Sequence, residues 1–350
     1  MRDVDVALAA AGTITIAEAR RRFADAFPPR PWIYWSDLLA TTTVCWTALG
    51  VSATTPLGEP LYFAATLVAM VALFRAAIFV HEIAHLRRGA LPGFELVWNV
   101  LVGVPFLAPS LTYVSSHLDH HRLATFGTWN DPEYLPLARS TPLRHLGFLF
   151  VPAVEVLLFP LRWGVLGPAS WFIPPLRRWV VERASTLVLN TRYRRPAPKG
   201  RETVRWIAEE AAAAVLVWLV AWGVAAGRIP PQWLLQWYVV LVGALVLNQA
   251  RNLAAHRYES DGQPTDSLGQ LLDTVTVEGR LLSALGAPVG LRYHALHHYL
   301  ATVPYHSLGA LHRLLLAELP ADDPYRRTRC SGVVAAAVAL ARRAAARRSR

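Results

Sequence analysis

Four runs of apolar residues constrain this chain more than any other feature. They cover residues 35–51, 61–80, 207–226 and 233–250. Each approaches the ~20 residues that an α-helix needs to cross a bilayer. Backbone polar groups inside lipid must be satisfied within the chain, and uninterrupted runs of this length do so as helices. Short loops join the first run to the second and the third to the fourth. The expected fold is therefore an all-α membrane protein with four transmembrane helices in two hairpins.

Charge orients the hairpins. The loop over residues 52–60 holds no Lys or Arg, and the loop over 227–232 holds Arg228 alone. Almost all the remaining basic residues lie in the N-terminal, middle and C-terminal segments. The positive-inside rule places those three segments in the cytoplasm. The ends of the second and fourth runs, and everything that follows each, then share one side of the membrane, as a cytoplasmic helical cap.

Two further apolar stretches are interrupted. Residues 94–114 contain Pro105 and Pro109, and residues 146–173 contain Glu155, Pro160, Arg162 and Pro168. Proline removes a helical hydrogen bond and kinks the chain. Both are expected as helices lying on, or dipping into, the cytoplasmic leaflet. The chain then divides into a cytoplasmic segment (1–33), a membrane domain (34–312) and a basic tail (313–350). The tail alternates Ala and Val with Arg, which suits a solvated or lipid-surface helix. Residues 1–31 show no cleavable signal, so the first run would direct insertion, and a bacterial inner membrane is the expected location.

Composition agrees with this reading. The chain is 54% hydrophobic and 17% charged, against about 25% charged in a soluble domain. Its net charge of +11 suits lipid head groups and an acidic partner protein; no nucleic-acid-binding module is visible. Two cysteines, Cys45 and Cys330, argue against a disulfide framework and against thiolate metal sites.

The chemistry lies in the histidines. There are 12 in all, and nine fall in clusters: His81 and His85; His117, His120 and His121; His256; and His294, His297 and His298. Residues three and four apart share one helix face, so each cluster aims its rings at one point. Converging imidazoles suit a first-row transition metal. Nine exceed the six positions of one octahedral ion, which favours two metals. Structural zinc prefers four ligands, cysteine among them. Iron accepts imidazole and changes oxidation state, and two irons with O2 as co-substrate suit oxidation of an unactivated C–H bond. With no flavin or haem motif visible, two electrons must come from a separate donor.

Several neighbours are candidates for supporting roles, and no catalytic group beyond the metal ligands is singled out. Asn252, four residues before His256, is placed to hold a metal-bound water. Asp119 and Glu82 sit inside clusters and are expected to hydrogen-bond an imidazole N–H. Asp273 and Glu278 are weaker candidates for that task. His145, His306 and His312 lack a partner histidine at helical spacing, and packing roles are expected for them. Arg75, within the second run, either pairs in a functional site or snorkels to the interface.

From 33 to 312 the chain resembles the integral-membrane fatty acid desaturase family. The residues that carry the likeness are His81-x-x-x-His85, His117-x-x-His120-His121 and His294-x-x-His297-His298. Gly127-Thr128 with Asp131-Pro132-Glu133-Tyr134, and Pro304-Tyr305-His306, add to it. The resemblance implies that the nine histidines bind two irons. It also implies that Asn252 with His256 is the family's water-holding pair, and that an acyl chain passes the irons and loses hydrogens from adjacent methylenes. Three residues inside the first cluster resemble acyl-lipid desaturases and carotenoid-oxidising relatives. No fused cytochrome b5-like domain is present, so a separate carrier is expected, a ferredoxin, drawn to the basic face.

Other readings remain open at this stage. The same centre serves a hydroxylase of a carotenoid, alkane, sterol or lipid chain if hydroxyl rebounds to carbon. His81-Glu82-x-x-His85 also fits an intramembrane HExxH zinc peptidase with Glu82 as general base and Asp261 as third ligand, which leaves seven histidines unexplained. A metal-binding membrane sensor would need neither oxygen nor nine ligands.

Overall fold

The computed structural model describes residues 2–187 and 189–348, with side chains from Val6 to Arg347. Among these residues the protein is mostly helical, and its only strands are one short parallel pairing of Thr276–Val277 with Arg329–Cys330, beside a few isolated bridges. Four long rods dominate: Pro31–Thr54, Pro60–His85, Arg201–Ala225 and Pro231–Asn252. Three of them begin with proline in the first turn, where its missing N–H costs nothing and its fixed φ already suits the helix. The 26-residue rod Pro60–His85 is about 39 Å long at 1.5 Å per residue.

The first two rods pack as a hairpin, the last two are joined by a short turn, and there is one exchange among the apolar helices. Four are long and apolar enough to cross a membrane: Pro60–His85, Pro142–Ser170, Arg201–Ala225 and Pro231–Asn252. Pro31–Thr54, covering the first expected span, is not among them. Asp37 and the run Thr41-Thr42-Thr43 lower its hydropathy, although the Thr42 hydroxyl is satisfied within the helix by the Leu38 carbonyl at 2.8 Å. It still packs along Pro60–His85, burying Tyr34, Leu38, Cys45, Ala48 and Leu49.

Pro142–Ser170, expected at the interface, is a continuous helical path in spite of Pro152 and Pro160, with a wide turn at Arg162–Leu166. Its first turn and its wide turn are fastened to the segments on either side of it in the chain. His145 Nε2 lies 2.9 Å from the Leu137 carbonyl. Arg162 donates to the Ala184 carbonyl and, at 2.9 Å, to the Ser185 hydroxyl, and the next residues bond back to Thr112. Its middle meets the span Pro231–Asn252 where the Tyr238 hydroxyl donates to the Ala153 carbonyl at 2.7 Å. Length and hydropathy suit a span.

The segment 94–114 folds back on itself. Asn99 clasps Ser110 twice, at 2.8 Å to its N–H and 2.9 Å to its hydroxyl. The loop between them reaches down to Trp237, whose indole donates to the Pro105 carbonyl at 3.0 Å. Gly103 permits the close approach: a Cβ there would stand 2.5 Å from Asn99 Oδ1 and 2.7 Å from the Trp98 ring.

The outer segments are part of the body. Leu8 and Ala19 of the N-terminal helices Arg2–Ala10 and Ile16–Arg22, with Phe23 just after the second, pack with Leu296, Leu300, Leu308 and Leu311 around the last histidine cluster. The expected boundary at 313 falls inside helix Tyr305–Glu318. The tail helix Val333–Arg348 is not free in solvent: Ala336, Leu340 and Ala344 are buried, with Leu340 against Phe126, Tyr134, Leu137 and Tyr258. Its small residues at four-residue spacing form a flat face that packs closely on the histidine side.

Candidate metal centre

Each histidine is placed by a short rigid element. His81 and His85 close the rod Pro60–His85. His117, His120 and His121 lie on helix Val114–His121, and His294, His297 and His298 on helix His294–Tyr299. His256 departs from the helical reading. Its helix ends at Asn252, and His256 sits beyond the turn, bridged to Thr274.

All nine imidazoles converge into two groups. His81, His85, His117, His121 and His297 form one; His120, His256, His294 and His298 form the other. Within each group the candidate ligand atoms lie within 4.8 Å of one another. The second and third clusters each divide between the groups, because successive residues of a helix turn point about 100° apart. His121 and His298 stack at 4.1 Å between ring centroids, joining the two groups.

The nitrogens face inward. His117 and His121 Nε2 are 3.1 Å apart, as are His121 and His297 Nε2, and His256 and His294 Nε2 are 3.0 Å apart. Both nitrogens of His81 and of His298, and Nε2 of His85, are buried with no protein partner. A buried polar atom without a partner is costly. So many in one place, aimed at common points, fit metal ions at both. Burial holds His117, His121, His294, His297 and His298 well below the usual imidazole pKa. Neutral imidazole is the form that ligates. Burial also opposes charge on His120, but the adjacent Asp131 carboxylate raises its pKa overall.

Carboxylates behind the rings fix which nitrogen faces the centre. Asp131 Oδ1 lies 2.8 Å from His120 Nδ1. Glu133 Oε1 lies 2.7 Å from His117 Nδ1, with the Tyr113 hydroxyl at 2.9 Å from the same atom. Asp273 Oδ2 lies 3.5 Å from His256 Nδ1, and its Oδ1 is held by the Tyr134 hydroxyl at 3.0 Å. The first two pairings retain the proton on Nδ1 and leave Nε2 free to ligate, whereas Asp273 stands near His256 Nδ1 without a hydrogen bond between them. Sequence reasoning quoted Asp131 and Glu133 only as family markers. The signal for their role was the acidic pair ten to sixteen residues beyond the histidines, across a turn.

The other expected supports do different work. Asp119 accepts from the Tyr193 hydroxyl at 2.6 Å and pairs with Arg122, so it touches no imidazole. Glu82 accepts from the Tyr34 hydroxyl at 2.5 Å and the Tyr305 N–H at 3.1 Å; its nearest imidazole atom, His81 Nδ1, is 3.8 Å away. The Asn252 amide donates to Gln249 Oε1 at 3.0 Å. Glu278 holds His312 and Arg329. His145, His306 and His312 lie outside both groups, each in its own hydrogen bond. Arg75 is paired with Asp37 at 2.5 Å. The peptidase reading loses its base, since Glu82 is engaged by two tyrosines, and Asp261 caps its own turn through Gln263.

One cleft reaches the centre, and a second lies one residue away from it in sequence, at Tyr293 beside His294. One, of about 320 Å³, ends on His85 and is walled by Phe27, Pro28, Pro29, Leu86 and Val303. The other, of about 260 Å³, lies beyond Tyr305, between Arg75, Tyr293 and His306.

Residues 59–329 match the sequence model of the family described as fatty acid desaturase. The chain belongs to that family. A curated relative, the ceramide hydroxylase of Caulobacter vibrioides (strain NA1000 / CB15N), is 41% identical over 320 residues, covering 91% of each chain. The matched span contains all nine converging histidines and the four helices able to cross a membrane. The protein is thus an integral-membrane oxidoreductase of the desaturase/hydroxylase superfamily, with histidine clusters suited to metal.

Proposed function

We propose that the chain hydroxylates a ceramide-type lipid, inserting one atom of O2 into a C–H bond while the other leaves as water. Two electrons and two protons complete the balance. The relative named a ceramide hydroxylase, matched over 91% of both chains, carries this reading over the desaturation that the family resemblance implied. Desaturation is the second reading, supported by the family match. Both outcomes use the same centre and differ in whether hydroxyl returns to carbon or a second hydrogen is removed.

The nine imidazoles would hold two irons, five ligands at one and four at the other, with the groups as gathered here. Iron bound there supplies oxygen activation and two-electron redox chemistry. The chain's part is to bind and orient. Asp131 and Glu133 hold protons on Nδ1 of His120 and His117 and so aim Nε2 inward. The packed aromatics Phe126, Tyr134 and Tyr258 close the four-histidine side against water.

In this proposal the histidine side faces the cytoplasm of a bacterial cell, following the charge asymmetry. A separate acidic electron carrier, of the ferredoxin kind, docks over the cleft that ends on partly buried His85. Exposed Arg87 and Arg88 follow that histidine directly, and Arg20, Arg21 and Arg22 end the helix leading to the cleft's far wall. No nucleic acid is involved.

Lipid mass spectrometry of a ceramide-producing host tests the reading. Expression should yield ceramide heavier by one oxygen, and the His297→Ala variant should not. Ceramide lighter by two hydrogens would establish the desaturase instead, and an unchanged ceramide pool would remove ceramide as the substrate.

A further inference from the structure

We infer that the cleft beyond Tyr305 is a polar-head subsite for a neutral lipid. This deepens the hydroxylase reading and rests on it for the substrate's class, though the site stands on its own geometry.

Position is the first argument. One wall of the cleft is the rod Pro60–His85 at Arg75, below His81; the other is the segment 284–293 that leads into His294. The short helix Leu281–Gly286 on that wall exposes Leu281, Leu282 and Leu285, and it packs beside the span Pro231–Asn252. Adjacent exposed leucines against a membrane-crossing helix belong in lipid. The cleft therefore opens at the membrane surface, on the side from which a lipid arrives. Two residues tie it to the centre. Tyr293 precedes His294, and the Tyr305 N–H is bonded to Glu82, the neighbour of His81.

The lining is the second argument. The cations are already engaged: Arg75 by Asp37 at 2.5 Å, and Arg292 by the carbonyls of Val277, Glu278 and Gly279. Asp37 is held again by the Tyr305 hydroxyl at 2.9 Å. An incoming phosphate would meet the Asp37 carboxylate as well as the guanidinium. The Tyr293 hydroxyl, by contrast, makes no hydrogen bond among the described residues. An unengaged tyrosine hydroxyl beside guanidinium groups already bonded suits amide and hydroxyl oxygens, the groups of a ceramide head, better than an anion.

Backbone strain is the third. Val289 adopts φ +49° in the wall of this cleft, and Gly290 follows at +74°. A Cβ at Gly290 would stand 2.8 Å from Leu308 and 2.9 Å from the Tyr305 side chain. A β-branched residue in the left-handed region is held there only by its surroundings. The turn presses the segment against Tyr305 and so fixes the cleft's shape.

The test is photo-crosslinking to the full-length protein in detergent micelles, read without turnover. The probe is a ceramide carrying a diazirine beside its amide. Label is expected on peptides containing residues 284–293 and 305–309, displaced by unlabelled ceramide at concentrations at least tenfold below those needed for phosphatidylglycerol. Ala284→Trp places a large ring in the cleft from an exposed position. It should cut labelling at least tenfold while leaving the bound metal unchanged. Labelling elsewhere, no labelling, or labelling untouched by Ala284→Trp would overturn the subsite, and equal displacement by phosphatidylglycerol would overturn its neutrality. Failure of the hydroxylase reading appears separately, as specific labelling of a protein that never oxidises ceramide.

Discussion

His120 Nδ1 lies 2.8 Å from Asp131 Oδ1, and both side chains are sealed from solvent. Asp131 also accepts the N–H groups of Gly127 and Glu133, at 2.8 and 2.9 Å. The carboxylate thus organises the turn after the second histidine cluster and sets the tautomer of one ring in the four-histidine group. Asp119, one residue from the same histidine, turns away to Tyr193. Adjacency in sequence and adjacency in function separate here.

That separation is testable. Asp131→Asn should weaken metal retention by about 10–100-fold, the usual cost of losing a carboxylate behind a metal-binding histidine. Asp119→Asn should retain metal as the unaltered protein does. Metal content by plasma mass spectrometry after equilibrium dialysis checks both, and equal retention by the two variants would refute the assignment.

The division into five and four ligands makes a second prediction. His256→Ala takes one ligand from the smaller group, and His85→Ala one from the larger. The four-histidine group has no ligand to spare. His256→Ala should therefore release one metal and leave the other, whereas His85→Ala should retain both with weakened affinity on its own side. Metal-to-protein ratios together with Mössbauer spectra of iron-57-loaded protein distinguish the sites. Complete metal loss in both variants would show that the groups act as one.

Much of the centre was legible because helical spacing is a local property. Any HxxHH run on a helix presents its rings within a narrow arc, so eight ligands on helices could be read directly. What divides them is not local. His120 and His121 part company because the chain brings His256 and His298 to one side and His85 and His297 to the other. His256 itself came from a helical argument that the chain does not obey, since the helix stops at Asn252. The apolar runs were legible by length, but Pro31–Thr54 and Pro142–Ser170 exchanged standing in hydropathy. A run of threonines reads as polar, although each hydroxyl can bond the preceding turn of its own helix. Prolines read as breaks, although Pro152 and Pro160 are absorbed within Pro142–Leu161.

Acid should release the metal and destabilise what remains. Burial holds most of these imidazoles below their ordinary pKa, so the folded protein binds fewer protons there than the unfolded chain. Stability then rises with pH through the region around the unfolded value of about 6.5, and is lost as the pH falls beneath it. Protons also compete with metal for the same nitrogens. Thermal unfolding of detergent-solubilised protein from pH 8 to pH 5 should show a falling midpoint, steeper in metal-loaded than in chelator-stripped samples. A midpoint independent of pH in both samples would contradict the buried neutral cluster.

The tail helix offers the last prediction, because its sequence suggested a surface helix and its packing shows otherwise. Leu340 is fully buried among Phe126, Tyr134, Leu137 and Tyr258, side chains that stand directly behind His120 and His256. Removing its side chain should cost about 2–5 kcal/mol, as buried Leu→Ala changes do. The loss would fall on the wall of the four-histidine group, so Leu340→Ala should also speed metal release from that group. Val334, on the same helix but 69% exposed, serves as control. Val334→Ala should stay within about 0.5 kcal/mol of the unaltered protein. Unfolding midpoints and metal-release rates for the two variants decide between a structural tail and a solvated one, and equal behaviour of both would return the tail to the surface.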